Sequence, residues 1–254
     1  MTRRFALAIA ALLGLAALPA AAQEISGTFG VKGETAGGTA YQGSVAIATE
    51  GAGYRVAWQR DADLERQGFA LRYDRVLGVA AEDQDAFFGV VLYRVKGGHL
   101  TGIWQNSGSP IAENLGFEDL DGPEGLDGVF IISRGVNPNG TVYQGDVTIK
   151  KSGAIYLVDW RTPNPSFIGT GVLLGDTFVV GYAVRHRSGV VAYCIRSGEM
   201  LDGVSGEASD SATGTETLRR GDAATVEAPA PGSCGVPVAS GRAPASGMAA
   251  AAAP

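Results

Sequence analysis

Two glutamates recur at the same place in a repeated segment and are the first candidates for chemistry. Glu118 lies in the segment GFEDL at 116–120, and Glu216 lies in GTETL at 214–218. Two carboxyl groups can share acid and base roles, but only if the fold brings them close together. The simpler interpretation is that each is a strand residue whose carboxylate binds an arginine or a backbone donor.

Aromatic residues recur in the same way and are candidates for ligand binding. Tyr41 and Trp58 are matched by Tyr143 and Trp160, and all four fall on the apolar side of predicted strands, where they either fill a domain or line a cavity. Ser205 stands where the first copy has Trp104, and its smaller side chain would open a pocket in the second copy only, or face solvent. The candidate ligand-binding residues are Tyr41, Trp58, Trp104, Tyr143, Trp160 and Ser205.

Other reactive residue types do not form a site. The two histidines, His99 and His186, have no second His or Cys at ligand spacing. The acidic runs at 61–65 and 82–85 lack the ordered spacing of a calcium loop. No nucleophile, base and orienting group can be named together. The sequence therefore predicts no catalytic residue, no metal site, no cofactor and no enzyme.

The two cysteines are Cys194, in a predicted strand, and Cys234, near the C-terminus. Cys194 lies on the strand face opposite Tyr193 and Ile195, so we expect its thiol on the outside of the domain. A disulfide between the two cysteines would pin the C-terminal segment against the second copy. Sequence alone leaves both the bridged and the free form open.

The N-terminus has the pattern of a cleavable signal peptide. Basic residues at 3–4 precede an apolar run at 5–18, and Ala22 and Gln23 flank the predicted cleavage site, so residues 1–22 are removed; an uncleaved anchor is the alternative. We expect a periplasmic or secreted protein. Cleavage removes two of 20 basic residues and leaves 18 against 26 acidic ones. Such a surface disfavours nucleic acid and anionic lipid as partners.

The chain then repeats itself. Residues 39–47 match 141–149 at an offset of 102, and 89–93 match 189–193 at an offset of 100. We place copy 1 at 25–121 and copy 2 at 126–220, joined by a Gly- and Pro-containing linker at 121–125. Each copy has the length of a small domain. Residues 221–254 are rich in Ala, Pro, Gly and Ser, a composition typical of disorder.

Within each copy, apolar and polar residues alternate with a period of two. Tyr143, Val147 and Ile149 alternate with Gln144 and Asp146, as in a strand with one buried face. The pattern predicts an all-β protein with two tandem antiparallel meander domains, each closed into a small calycin-like barrel; two-sheet β-sandwiches are the alternative. The eight strands predicted for copy 1 are 27–32, 41–48, 54–60, 68–73, 76–80, 87–95, 100–105 and 115–120.

A set of short motifs spans both copies. In copy 1 these are GTF at 27–29, YxGxVxI at 41–47, YxVxW at 54–58, YxV at 93–95, LxGxW at 100–104 and GxExL at 116–120. The set resembles a family of small exported bacterial all-β proteins, some of which carry a fibronectin-binding label. In architecture alone the chain is also similar to avidin and lipocalin barrels, a likeness that does not imply function.

Three functional hypotheses remain. The first is a non-catalytic binding protein of the bacterial envelope, with a small apolar or amphipathic ligand in or at the mouth of a barrel. The second is an adhesion module for an extracellular protein such as fibronectin, as the resemblance implies, with tandem copies supplying avidity. The third is a structural envelope protein without a dedicated ligand.

Overall fold

The computed structural model describes residues 24–60, 64–81, 87–107, 114–163, 165–221 and 234. These residues form seventeen β-strands, so the predicted all-β class is confirmed. None of the described residues forms a helix suited to crossing a membrane. The predicted signal peptide with Ala22 and Gln23, the acidic run 82–85 and almost all of 221–254 lie outside the described residues.

The strands follow the sequence repeat: eight lie in copy 1 and nine in copy 2. Copy 1 contains β1 (Gly27–Glu34), β2 (Ala40–Glu50), β3 (Gly53–Arg60), β4 (Leu64–Tyr73), β5 (Val76–Ala81), β6 (Phe88–Lys96), β7 (His99–Asn106) and β8 (Gly116–Asp121). Copy 2 contains β9 (Gly128–Val136), β10 (Val142–Tyr143), β11 (Asp146–Ser152), β12 (Ile155–Arg161), β13 (Phe167–Leu174), β14 (Thr177–Ala183), β15 (Gly189–Ser197), β16 (Met200–Gly206) and β17 (Gly214–Arg219). β10 and β11 together correspond to β2, and both pair with β9.

The strands close into two antiparallel barrels. Barrel A has the order β1-β17-β16-β15-β5-β4-β3-β2. Barrel B has the order β9-β11-β12-β13-β14-β6-β7-β8 and is closed by pairing of β8 with β9. Two small closed barrels are therefore the architecture of the chain, and the sandwich alternative does not apply.

The barrels and the sequence copies have different boundaries. Barrel A joins five strands of copy 1 to the last three strands of copy 2, through β5–β15 and β1–β17 pairing. Barrel B is one continuous stretch from β6 to β14. The segment at 121–125, expected to link two domains, instead lies in the connection between β8 and β9, neighbours within barrel B. The true crossings between barrels lie between β5 and β6 and between β14 and β15.

Alternation along each strand directs apolar side chains into the cores of the two barrels. Phe29, Val45, Trp58 and Tyr193 belong to the core of barrel A. Phe130, Val147, Tyr93 and Phe178 belong to that of barrel B. Each barrel interior is therefore assembled from residues of both copies, and removing them from water is the main term that stabilises it.

A third apolar core lies between the barrels. It is formed by the outer faces of the strands at the crossings, including Phe88 and Leu92 of β6, Val179 of β14 and Cys194 of β15. Cys194 is fully buried, contrary to the expectation of an exposed thiol, because barrel B covers the outer face of β15. It forms a disulfide with Cys234, with 5.7 Å between the two Cα atoms.

Candidate functional site

A buried carboxylate with three neutral donors lies inside barrel B. Glu118, only 3% exposed, accepts hydrogen bonds from the hydroxyl of Tyr93, from the hydroxyl of Tyr143 at 2.9 Å and from the indole N–H of Trp160 at 2.9 Å. Tyr143 and Trp160 were predicted as ligand-binding residues, and Glu118 as a strand residue bound by arginine or backbone. Its partners are instead phenols and an indole, none of which carries a charge.

The exchange of strands between the copies assembles this cluster. Glu118 on β8 and Tyr93 on β6 come from copy 1, whereas Tyr143 on β10 and Trp160 on β12 come from copy 2. β8 neighbours β9, whose other neighbours are β10 and β11. A barrel closed within one copy would not bring these four side chains together.

Burial and mutual proximity set the protonation of the cluster. Burial raises the pKa of Glu118, while hydrogen bonds from Tyr93, Trp160 and Tyr143 act in the opposite direction. Burial also raises the pKa of Tyr93 and of Tyr143, and the nearby Glu118 adds to both shifts. The phenols therefore stay protonated at neutral pH and serve as hydrogen-bond donors.

Barrel A holds the repeat-related cluster around Glu216. Tyr193 donates to Oε1 of Glu216 at 2.5 Å and Tyr41 donates to Oε2 at 3.0 Å. The indole of Trp58 donates to the hydroxyl of Tyr193 at 3.2 Å rather than to the carboxylate. The guanidinium of Arg60 completes the cluster: it lies 3.9 Å from Oε2 of Glu216 and 4.2 Å from the centre of the Tyr41 ring.

Glu118 and Glu216 therefore do not form an acid–base pair. They lie on β8 and β17, in different barrels, and each is surrounded by its own tyrosines. The two glutamates have similar surroundings because they occupy the same position in the repeat, and they do not contact each other.

A cavity of about 900 Å³ lies in barrel B. Its wall includes Glu118 and six aromatic side chains: Phe87, Trp104, Tyr143, Trp160, Phe167 and Tyr182. The aromatic rings contact one another, with centroid separations of 5.6 Å for Trp160 and Tyr182 and 5.4 Å for Phe167 and Tyr182. The wall thus combines one buried carboxyl group and a set of aromatic rings with several polar side chains and Arg134.

The register of the strands shows which residues differ between the two barrels. Thr162 and Phe167 of barrel B stand where barrel A has Arg60 and Arg66. Trp104 and Tyr182 of barrel B stand where barrel A has Ser205 and Ala81. At these four positions, barrel B has lost two arginines and gained three aromatic rings.

The six predicted ligand-binding residues fall into two groups. Tyr143, Trp160 and Trp104 line the cavity of barrel B. Tyr41 and Trp58 belong to the cluster of barrel A, and Ser205 lies beside Gly214 in the same barrel. Ser205 was expected to open a pocket in its own surroundings, but it lies in barrel A. The cavity lies in barrel B, which has Trp104 at the corresponding position.

Sequence reasoning missed four aromatic residues of the site. Tyr93 contacts Glu118, and Phe87, Phe167 and Tyr182 form part of the cavity wall. The match of Tyr93 with Tyr193 within the repeat was the available signal for the first. Phe167 and Tyr182 have no aromatic counterpart in copy 1, so repetition could not point to them.

The remaining candidates lie away from the cavity. His99 is exposed at the start of β7, and its Nδ1 lies 2.6 Å from Oδ1 of Asp121. The described residues contain no group of three or more His, Cys, Asp or Glu side chains arranged to hold a metal ion.

Comparison with family models, curated proteins and solved structures finds no match for the chain. The chemistry of the site therefore rests on its own geometry. That geometry consists of an aromatic cavity, a buried carboxylate and three donors that hold it in place.

Proposed function

We propose that the chain is an exported, non-catalytic binding protein that receives a small amphipathic ligand in barrel B. The observation that carries the proposal is the cavity of about 900 Å³, walled by aromatic side chains and containing Glu118. Ligand sites are typically apolar cavities with a few placed polar groups.

The size of the cavity fits one small molecule. Pockets for small ligands are roughly 300–1,000 Å³ in volume, and an eight-stranded barrel is wide enough for one such ligand. In barrel A the guanidinium of Arg60 lies over Tyr41 instead. The proposal therefore assigns the ligand to barrel B.

The disulfide supports export. Cys194 and Cys234 are bonded to each other, and disulfides persist mainly in oxidising compartments such as the periplasm or the outside of the cell. This agrees with the signal peptide predicted from the first 22 residues.

A neutral fluorescent probe tests the proposal. N-phenyl-naphthylamine, which carries no charge, should bind the full-length mature protein and gain fluorescence on entering an apolar cavity. Thr162→Trp places a large ring in the cavity wall and should lower the affinity at least about tenfold, because the indole then occupies space that the probe needs.

The matched control is Arg161→Trp, the same new side chain on the exposed, outer side of β12. It should leave probe binding unchanged. The proposal fails if the wild-type protein does not bind the probe, or if both tryptophan variants reduce binding equally.

A further inference from the structure

Barrel A holds a positive charge at the place that corresponds to the open cavity of barrel B. The guanidinium of Arg60 lies over the ring of Tyr41 and next to Oε2 of Glu216. Tyr41 and Glu216 are the repeat counterparts of Tyr143 and Glu118. The two barrels therefore present the same carboxylate and the same aromatic face, one with a cation and one without.

From this comparison we propose that the ligand of barrel B carries an ammonium or guanidinium group, which lies over Tyr143 beside Glu118, in the position that Arg60 occupies in barrel A. This inference rests on the proposed binding function and specifies the chemical class of the ligand. The ligand would also contain an apolar part, because six aromatic side chains line the same cavity.

The residues that differ between the barrels fit this proposal: in barrel A the cation is the side chain of Arg60, whereas in barrel B it would come from the ligand. Thr162 replaces Arg60, which removes the side chain that supplies the charge. Trp104 replaces Ser205, and its ring lies edge-on to Tyr143 at a centroid separation of 6.3 Å. Aromatic faces attract cations electrostatically, and more so when water is excluded.

The carboxylate of barrel B has capacity for a further donor. Oε2 of Glu118 accepts a single hydrogen bond in the described structure, from Tyr143. A carboxylate oxygen can accept two. No basic side chain of the described residues forms a salt bridge with Glu118. Among the described residues of the cavity wall, Arg134 is the one basic residue; its guanidinium lies 3.6 Å from the carboxylate of Asp119 and over the ring of Phe117.

A third donor favours the anionic form of Glu118, acting against the burial that raises the pKa of this carboxyl group. Trp160 donates directly to the carboxylate, whereas its counterpart Trp58 donates to a tyrosine hydroxyl. Hydrogen bonds to the charged form of a carboxyl group favour that form. The indole in barrel B therefore takes over part of the role that Arg60 has in barrel A.

Three probes with one ring system and different charges test the inference: naphthylmethylamine, naphthylmethanol and naphthoate. Isothermal titration calorimetry of the mature protein should show that the amine binds at least about tenfold more tightly than the neutral alcohol, as expected for a desolvated cation on an aromatic face and a carboxylate. Naphthoate should bind more weakly than the alcohol.

Two substitutions separate charge from shape. Glu118→Gln keeps the size of the side chain and should abolish the preference for the amine while the alcohol still binds. Thr162→Arg restores the internal cation of barrel A and should lower amine affinity about tenfold more than Thr162→Gln, the neutral control of similar length.

Failure of this inference and failure of the proposed function are distinguishable. Equal affinity for amine and alcohol in the wild-type protein would overturn the cationic class and leave ligand binding intact. An amine preference that persists in both Glu118→Gln and Thr162→Arg would overturn it as well. If the neutral fluorescent probe and all three naphthyl compounds fail to bind, the binding function itself is overturned.

Discussion

At the scale of single residues, Glu118 has an environment unlike that of an ordinary surface carboxylate, because it is buried among neutral donors. Burying a charge is costly unless hydrogen bonds replace the lost water. Tyr93, Tyr143 and Trp160 supply those bonds, but none brings an opposite charge. Glu118 is thus kept in place by neutral donors, and its ionisation is coupled to the stability of barrel B.

Glu118→Gln tests that coupling through pH. The folded pKa of Glu118 lies above its ordinary value of 4.5, so the native state binds a proton more readily than the unfolded chain. Its stabilising contribution is present below the unfolded pKa and is lost as pH rises through the folded pKa. The unfolding free energy of the wild type, relative to Glu118→Gln, should therefore fall as pH rises from 4 towards neutrality. Chemical denaturation of both proteins across this range measures it.

The neighbouring groups do not mask this effect. Burial raises the pKa of Tyr93, Tyr143 and Tyr182, so these phenols do not titrate in the acidic range. Asp119 is the charged neighbour that adds to the shift of Glu118, and it is present in both proteins. Two parallel curves of stability against pH would contradict the assignment.

At the scale of elements, the contact between β5 and β14 joins the barrels through repeat-related positions. The strand registers make Gly78 the counterpart of Val179 and Ala80 the counterpart of Gly181. A Cβ atom on Gly78 would lie 2.6 Å from Cγ1 of Val179, and one on Gly181 would lie 3.3 Å from Cβ of Ala80. Each contact therefore pairs a glycine with a larger side chain from the same repeat position.

Gly78→Ala should destabilise the protein by about 1–3 kcal/mol, the usual cost of overpacking a core. The new methyl group would also lie 2.9 Å from Cδ1 of Leu92, so two side chains must move. Gly37→Ala is the control, because its new Cβ would meet nothing closer than 3.8 Å. Urea unfolding of both variants gives the comparison; equal stability of the two would contradict the close packing of β5 on barrel B.

The strands themselves were predictable from sequence, but their partners were not. Alternation such as that of Val147 and Ile149 fixes which face of a strand is buried, and both residues lie in a barrel core as predicted. The choice of partner is not encoded in that pattern. The segments 89–93 and 189–193 are nearly the same, so local sequence does not tell β5 to pair with β15 rather than β6.

The same limit applies to the site. Tyr143 and Trp160 were found because they recur on an apolar strand face. That Glu118 would meet them depends on β8 lying next to β9, a neighbour that belongs to the other copy. A contact that arises from strand exchange leaves no trace in the periodicity of either strand.

At the scale of the whole molecule, the disulfide ties a C-terminal residue to the seam between the barrels. Cys194 lies in the core between them, and Cys234 lies near both. The Sγ atom of Cys234 is 3.8 Å from the carbonyl oxygen of Arg75 in barrel A, and a Cβ on Gly175 of barrel B would lie 3.3 Å from the carbonyl oxygen of Cys234. The bond therefore contributes to the joint between the barrels.

Cys234→Ser should lower the unfolding free energy by about 2–4 kcal/mol, because the bond restricts the unfolded chain over a sequence separation of 40 residues. Guanidinium unfolding of the oxidised wild type and the variant measures the difference. Adding a reductant should bring the wild type down to the stability of Cys234→Ser and leave the variant unchanged. Equal stability of the oxidised wild type and the variant would contradict this role.

Barrel A is built from strands at both ends of the chain, and this affects the order in which its strands become available during synthesis. Synthesis proceeds from the N-terminus, so β1 to β5 are made first, yet their missing partners β15 to β17 are made last. All strands of barrel B emerge in between. During that interval β1 and β5 each present an unpaired edge, which other chains can join. Barrel A therefore cannot close until β15 to β17, the last strands of the chain that the structure describes, have been made.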